Sequence, residues 1–326
     1  MKGTMFFLFM IINFPLMAGD ADIDVINGNP AEVGEFPNMV FLEIDLENGF
    51  VSNCGGTLIQ DEWVLTAAHC IYNEFGKIYS NIDVIINELY IPPSNSNNIY
   101  SSAAVIPHPE YDPTLDIPNK FRDDIALIYV PNLYKLINSY LPSFNFVESI
   151  PFSDLELQIA GWGITESGMA SSNLQKGSVG MLNFLQCLPF WSGLLDNLPN
   201  VVCIEVINEQ TACLGDSGGP LYTSLEGKQI QVGITSFGDG SCSKGIVPEL
   251  PAVYTNVSSY IDFINGVIVD NGGQPVEVID EDIRRSAPPS SDSTSADDSG
   301  GGAFDWFVIL ITLVFLFKYR FFKVKK

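Results

Sequence analysis

The stretch "TACLGDSGGP", residues 211–220, sets Ser217 among glycines directly after Asp216. A serine hydroxyl is a weak nucleophile, so it needs a base within hydrogen-bond reach. The chain holds only two histidines, His69 in "WVLTAAHC" and His108 in "IPHPEYD". "GDSGG" also satisfies the Gly-x-Ser-x-Gly pattern of a nucleophile elbow, in which the catalytic histidine follows the serine. Both histidines precede Ser217, which removes that reading. The order that remains is histidine, aspartate, serine, with Asp124 or its neighbour Asp123 in "RDDIALIYV" as the carboxylate between.

Short β-type runs separated by Gly, Pro and Asn must position these groups: "MVFLEI", "DVIIN", "IALIYV", "LELQIAGWG", "IQVGITSFG" and "AVYTNV". Many short strands with turn residues between them predict an all-β barrel or sandwich. One later stretch, "VSSYIDFINGVI", has helical spacing, with Val257, Tyr260, Ile261 and Ile264 on one face.

The flanks differ in composition. Residues 1–18 carry one lysine, an apolar run and small residues near Ala18, the form of a secretory signal peptide. Residues 19–24 then form a short propeptide. After Gly272 the chain turns to Ser, Asp, Gly and Pro, which cannot bury enough apolar surface to fold, so residues 269–303 read as a flexible acidic stalk. The apolar run from Trp306 to Phe317 is short for a membrane span, but Lys318 and Arg320 can snorkel, so 304–322 reads as a single transmembrane helix and 323–326 as a basic cytosolic tail. The positive-inside rule then places the large domain on the extracellular face, a single-pass type I arrangement at the cell membrane with the lipid bilayer as a partner. Arg284 and Arg285 in the stalk offer a shedding site.

Acidic residues outnumber basic ones 39 to 15, and between residues 25 and 303 nine basic side chains face 35 acidic ones. No basic stripe exists to neutralise phosphates, which excludes nucleic acid as a partner. The six cysteines, Cys54, Cys70, Cys187, Cys203, Cys213 and Cys242, include no Cys-x-x-Cys pair of the zinc-site kind. In a secreted chain they predict three disulfides, which spacing alone leaves among fifteen pairings. No metal and no cofactor is called for. "NVS" at Asn256 is a glycosylation sequon.

Taken in order, "GGTLIQDEWVLTAAHC", "DDIALI", "GWGITESG" and "CLGDSGGP" resemble the chymotrypsin-family (trypsin-like) serine proteases over about Val25 to Asn265. The resemblance implies two packed six-stranded Greek-key β-barrels with a short C-terminal helix over residues 25–268. It implies His69, Asp124 and Ser217 as a catalytic triad, the aspartate being the one directly before "IAL". The backbone N–H groups of Gly215 and Ser217 would form the oxyanion hole. The implied disulfides are Cys54–Cys70, Cys187–Cys203 and Cys213–Cys242.

By the same resemblance, a freed amino terminus at Val25 pairs with Asp216, so an activating protease must cut after Asp24, where many relatives carry Arg or Lys. Thr211 falls at the floor of the specificity pocket, with Ser236, Gly238 and Ala252 on its walls. That neutral lining implies cleavage of protein or peptide substrates after uncharged, apolar P1 residues. The alternatives are a basic P1 reached by Asp239, or an inactive surface-bound homologue.

Overall fold

The computed structural model describes residues 25–279 apart from 74, 92–97, 116–120, 134–140, 143–155, 166, 192–199, 226, 239–241 and 243–249. The expected signal peptide, propeptide and membrane helix, with Asp24, Asp239, Arg284 and Arg285, lie outside the described residues. Among the described residues no helix is long and apolar enough to cross a membrane.

In chain order the strands are β1 (Asn29–Pro30), β2 (Met39–Asp45), β3 (Val51–Gln60), β4 (Trp63–Thr66), β5 (Ile82–Ile86), β6 (Ile99–Ser101), β7 (Ala104–Pro107), β8 (Ala126–Tyr129), β9 (Leu141–Pro142), β10 (Leu157–Gly161), β11 (Gln175–Leu182), β12 (Val201–Val206), β13 (Pro220–Leu225), β14 (Lys228–Phe237), β15 (Ala252–Asn256) and β16 (Val278–Ile279). The helices are α1 (Ala68–Ile71), α2 (Phe184–Cys187) and α3 (Ile261–Asp270).

These strands make the trypsin-like double barrel with its short C-terminal helix. The first unit is a seven-stranded sheet in the order β6-β5-β2-β3-β4-β8-β7, and the second follows β1-β11-β10-β13-β14-β15-β12. The second sheet closes on itself, because β11 pairs with β12 as well as with β10. The pairs within both units are antiparallel, with Leu42 opposite Cys54 in the first and Ile159 opposite Gly177 in the second.

Each barrel has its own apolar cluster. The first includes Val40, Leu42, Leu58, Leu65, Val84 and Leu127; the second includes Leu157, Ile159, Val179, Ile204, Leu221 and Val232. A third cluster joins them: Met39, Phe41 and Ile85 from the first unit meet Ala160, Trp162 and Tyr222 from the second. Phe41 and Trp162 meet edge to face at 5.5 Å between ring centroids.

The end of the domain departs from the sequence reading. A 3-10 turn over Val257–Tyr260 leads into α3, and Val257, Tyr260, Ile264 and Ile268 are buried in the first cluster, while Ile261 packs against it half-buried. The chain does not pass into a stalk after residue 268. The Gly273 N–H donates to Ile268 O at 2.9 Å, and the Val276 N–H donates to Asn265 Oδ1 at 2.9 Å. Val276 then enters the first cluster and Ile279 the second, and β16 pairs in parallel with β9. Two buried apolar residues, Val276 and Ile279, dock this strap, although its composition is otherwise mostly polar and Val278 is exposed. The folded domain therefore extends at least to Ile279, and the expected boundary at 268 is corrected.

Candidate active site

Helix α1 spans the four residues Ala68–Ile71, and Ala68, Cys70 and Ile71 are buried. The fourth, His69, keeps its side chain 20% exposed. Packing of its three neighbours therefore aims the imidazole outward. The Cys54–Cys70 disulfide ties α1 to β3.

Asp124 precedes β8 and is fully buried. A buried carboxylate is costly unless its oxygens are satisfied, and here each oxygen is. Oδ1 accepts the main-chain N–H of His69 at 2.8 Å. Oδ2 accepts from His69 Nδ1 at 2.8 Å and from Ser236 Oγ at 2.5 Å. A carboxylate only accepts, so the Nδ1–H of the imidazole is the donor in this pair. The main-chain carbonyl of Asp124 accepts from Thr255 Oγ1 at 2.9 Å. Asp123 points elsewhere, its Oδ1 accepting from the Tyr260 hydroxyl at 2.8 Å.

Ser217 lies in the turn before β13. Its carbonyl accepts from Gly55 N–H of β3 at 2.7 Å, a bond between the two barrels. The N–H groups of Asp216, Gly218 and Gly219 donate to Cys213, Thr235 and Asp216 carbonyls. Those of Gly215 and Ser217 donate to no backbone carbonyl among the described residues. Gly215 holds φ at +98°, which L side chains rarely adopt, and a Cβ there would come 3.0 Å from Gly163 Cα.

Asp216 is 2% exposed. Its carboxylate accepts from Gly163 N–H at 2.9 Å and Cys213 N–H at 2.8 Å. The "GWG" motif thereby acquires a physical role: a Cβ on Gly161 or Gly163 would run into the Asp216 carboxylate.

His69 and Ser217 line one cavity of about 460 Å³. No hydrogen bond joins them among the described residues, and such bonds in free enzymes are often long and tighten with substrate. Ala212, Ser236, Gly238 and Ala252 share the lining. Beside them Phe121 stacks on Phe237 at 4.5 Å, and Trp191 meets Phe237 edge to face at 5.2 Å. Tyr72 and Tyr111 stack at 5.5 Å, and burial raises the ionisation of the Tyr111 hydroxyl far above the usual phenol range, so it stays neutral.

Two expectations change, at Thr211 and Asn256. Thr211 does not line the cavity: it is 1% exposed and forms a β-bridge with Ile26, and Ala212 takes the wall instead. Ser236 does line it, but its hydroxyl is turned onto Asp124. Asn256 is 4% exposed, and its Oδ1 accepts from Ser258 N–H and Ser258 Oγ, capping the turn into α3. A glycan needs an exposed amide, and the fold uses this side chain as a cap. The contributions of Ser236, Thr255 and Tyr260 were invisible in the sequence because each lies more than 100 residues from its aspartate.

The disulfides join Cys54 to Cys70, Cys187 to Cys203 and Cys213 to Cys242, with no free cysteine. A grouping of Cys54, His69 and Cys70 has metal-like proximity, but both sulfurs are committed to one disulfide.

The trypsin family model matches residues 25–264. The chain is 31% identical over 255 residues to CLIP domain-containing serine protease B4 of Anopheles gambiae, covering 74% of this chain and 69% of that one. It is 30% identical to chymotrypsin-like elastase family member 1 of Canis lupus familiaris, covering 76% of this chain and 93% of the relative. The solved structure of HL collagenase superposes with a TM-score of 0.59 at 26% identity, over 74% of this chain and 98% of that one. The fold and site define a serine endopeptidase. The chain belongs to the trypsin family of serine proteases.

Proposed function

We propose that this protein is a membrane-tethered extracellular endopeptidase, made as a precursor, that cleaves proteins after uncharged P1 residues through an acyl-enzyme formed on Ser217. The observation that carries the catalytic reading is the His69–Asp124 pair at 2.8 Å opening on the same cavity as Ser217. His69 Nε2 takes the Ser217 hydroxyl proton as Oγ attacks the scissile carbonyl. Asp124 stabilises the imidazolium so formed, and the N–H groups of Gly215 and Ser217 receive the developing oxyanion. The imidazolium then returns its proton to the leaving amine, and water repeats the sequence to release the acid.

Labelling the purified protein with a serine-directed phosphonate tests this. The wild-type chain is expected to react and Ser217→Ala not to; labelling of both, or of neither after processing, removes the assignment.

The P1 reading rests on Ala212, Gly238 and Ala252 in the cavity wall, with no carboxylate among the described lining residues. Similarity to a chymotrypsin-like elastase supports it. A peptide library is expected to yield products ending in small or apolar residues. Products ending in Arg or Lys would return the choice to Asp239.

Activation by a cut after Asp24 has its own physical support. Val25 is fully buried in the second barrel, and its φ of 54° is a left-handed value that costs a β-branched residue on the order of 1–3 kcal/mol. Cleavage before Val25 abolishes that torsion and frees an amine whose natural partner is the buried Asp216. Amino-terminal sequencing of active protein is expected to begin at Val25, and any other start refutes this route. The tether and its extracellular orientation rest on residues 304–326. Fractionation with an antibody to the domain is expected to place the full chain in membranes; recovery only in soluble fractions would refute it.

A further inference from the structure

Asp123 stands beside the aspartate that orients the base, yet its carboxylate faces the opposite way. Its φ is 52°, a left-handed value uncommon outside glycine. The Ile125 N–H bonds back to Asp123 O at 2.8 Å, closing a three-residue turn with Asp124 at its centre. This sharp bend turns Asp124 inward to His69 while Asp123 turns outward.

The partner of Asp123 comes from the far end of the domain. Tyr260, 5% exposed at the entry to α3, donates its hydroxyl to Asp123 Oδ1 at 2.8 Å. The ring is fixed by an edge-to-face contact with His108 at 5.3 Å, and Asn200 Nδ2 donates to its hydroxyl at 3.5 Å. Val257, Ile264 and Ile268 bury the same helical segment in the first barrel's core. The tyrosine is thus a rigid post for the Asp123 carboxyl.

We propose that the Tyr260–Asp123 hydrogen bond is a positioning device for catalysis, holding the bend that keeps the Asp124 carboxylate on His69 Nδ1. The proposal rests on the Ser217–His69–Asp124 reading and adds two positioning residues to it. The titratable and charged groups around Asp123 are Tyr260 from the entry to α3, His108 and Glu110 from the turn after β7, Arg122 next in the chain, and Asp124 itself.

The test uses the full-length protein after processing, with rates normalised by active-site titration. Tyr260→Phe removes one hydroxyl and keeps the ring. It is expected to lower kcat about ten- to hundredfold, the range that misplacement of a catalytic group by about 1 Å produces, with KM within about twofold. The acid limb of kcat/KM is expected to move to lower pH, because an imidazolium less well paired with Asp124 is less stable. Asp123→Asn keeps an acceptor and tolerates left-handed φ, so it is expected to stay within about threefold of wild type, whereas Asp123→Ala falls with Tyr260→Phe. His108→Phe serves as the control that removes the other histidine titration from the profile. Asp124→Asn and Ser217→Ala run alongside. If these two stay active, the triad reading itself fails. If they are inactive while Tyr260→Phe keeps wild-type kcat, or loses kcat with an unmoved acid limb, only the positioning proposal is overturned.

Discussion

The two barrels hold their halves of the active site by different physics. In the first, His69 and Asp124 sit on an apolar cluster that recruits Val257, Tyr260, Ile264, Ile268 and Val276 from the end of the domain. The base is fixed by packing, and its carboxylate receives three hydrogen bonds from side chain and main chain. In the second, the turn that carries Ser217 is organised around buried Asp216, which holds Gly163 and Cys213 by their N–H groups. Glycines at 161, 163, 215 and 218 border that turn, and none of them contributes a side chain to pack. Packing is insensitive to charge, whereas a loop ordered by one buried carboxylate responds to any new positive partner. The contrast teaches that the base half is tied into the core at folding, while the nucleophile half, under the activation proposed above, is the part that a proteolytic event would switch.

The strongest way to break this comparison is to remove a group from each half. Ser217→Ala is expected to cost about 10⁶-fold in kcat, with unchanged thermal stability, measured on a chromogenic peptide. Asp216→Ala orphans two buried N–H groups and disorders the Gly215 donor. A loss of about 10²–10³-fold in kcat is expected, with the fold retained by circular dichroism. A smaller loss would mean that the turn is held by packing after all.

A third perturbation addresses the strap. Ile279→Asp places a charge in the second cluster, and truncation after Gly272 removes Val276 and Ile279 together. Ile279→Asp is expected to lower unfolding free energy in urea by at least about 1.5–3 kcal/mol, the usual worth of one buried aliphatic side chain, and the truncation, which removes two, by about 3–6 kcal/mol. Truncation after residue 285 is expected to leave stability unchanged. Equal stability of both truncations would show that the strap contributes nothing.

The smallest effect is expected from pH. Burial holds His108 below its ordinary 6.5, with Asp123 and Glu110 pulling the other way. Because its folded pKa is depressed, the unfolded chain binds the proton more readily, so stability is complete above about 6.5 and falls as pH drops toward the folded value. His108→Phe is expected to flatten stability between neutral and mildly acidic pH, followed by thermal melts. An unchanged slope would assign the acid sensitivity to carboxylates such as Asp112, whose pKa is lowered by hydrogen bonds from Thr114.

Much of this was legible beforehand. Short β-type runs between turn residues marked β2, β5, β8, β10, β14 and β15, because strands that close a barrel core are rich in apolar and β-branched residues and end at Gly, Pro or Asn. The histidine, aspartate and serine stood out because few residue types carry that chemistry and the chain offers only two histidines. Misreadings share a cause. Thr211 was assigned to the pocket floor by resemblance, but the fold buries it to 1% exposure beside its bridge to Ile26, and Ala212 lines the cavity. Asn256 fits a sequon, yet the helix entry claims its amide as a cap. The strap looked like stalk because three apolar residues among acidic and polar ones are a weak pattern, and burial depends on two clusters separated in the chain.

The sequence alone determined the class of fold, the redox state of its cysteines and the identity of the reactive side chains, since these follow from local periodicity, compartment and residue chemistry. Only the tertiary structure decided that Ser236, Thr255 and Tyr260 brace the two aspartates, and that the segment carrying Val276 and Ile279 reaches the clusters of both barrels. The reason is that hydrogen bonds and buried contacts act over a few ångströms of space, and segments more than 100 residues apart become neighbours only after the barrels form.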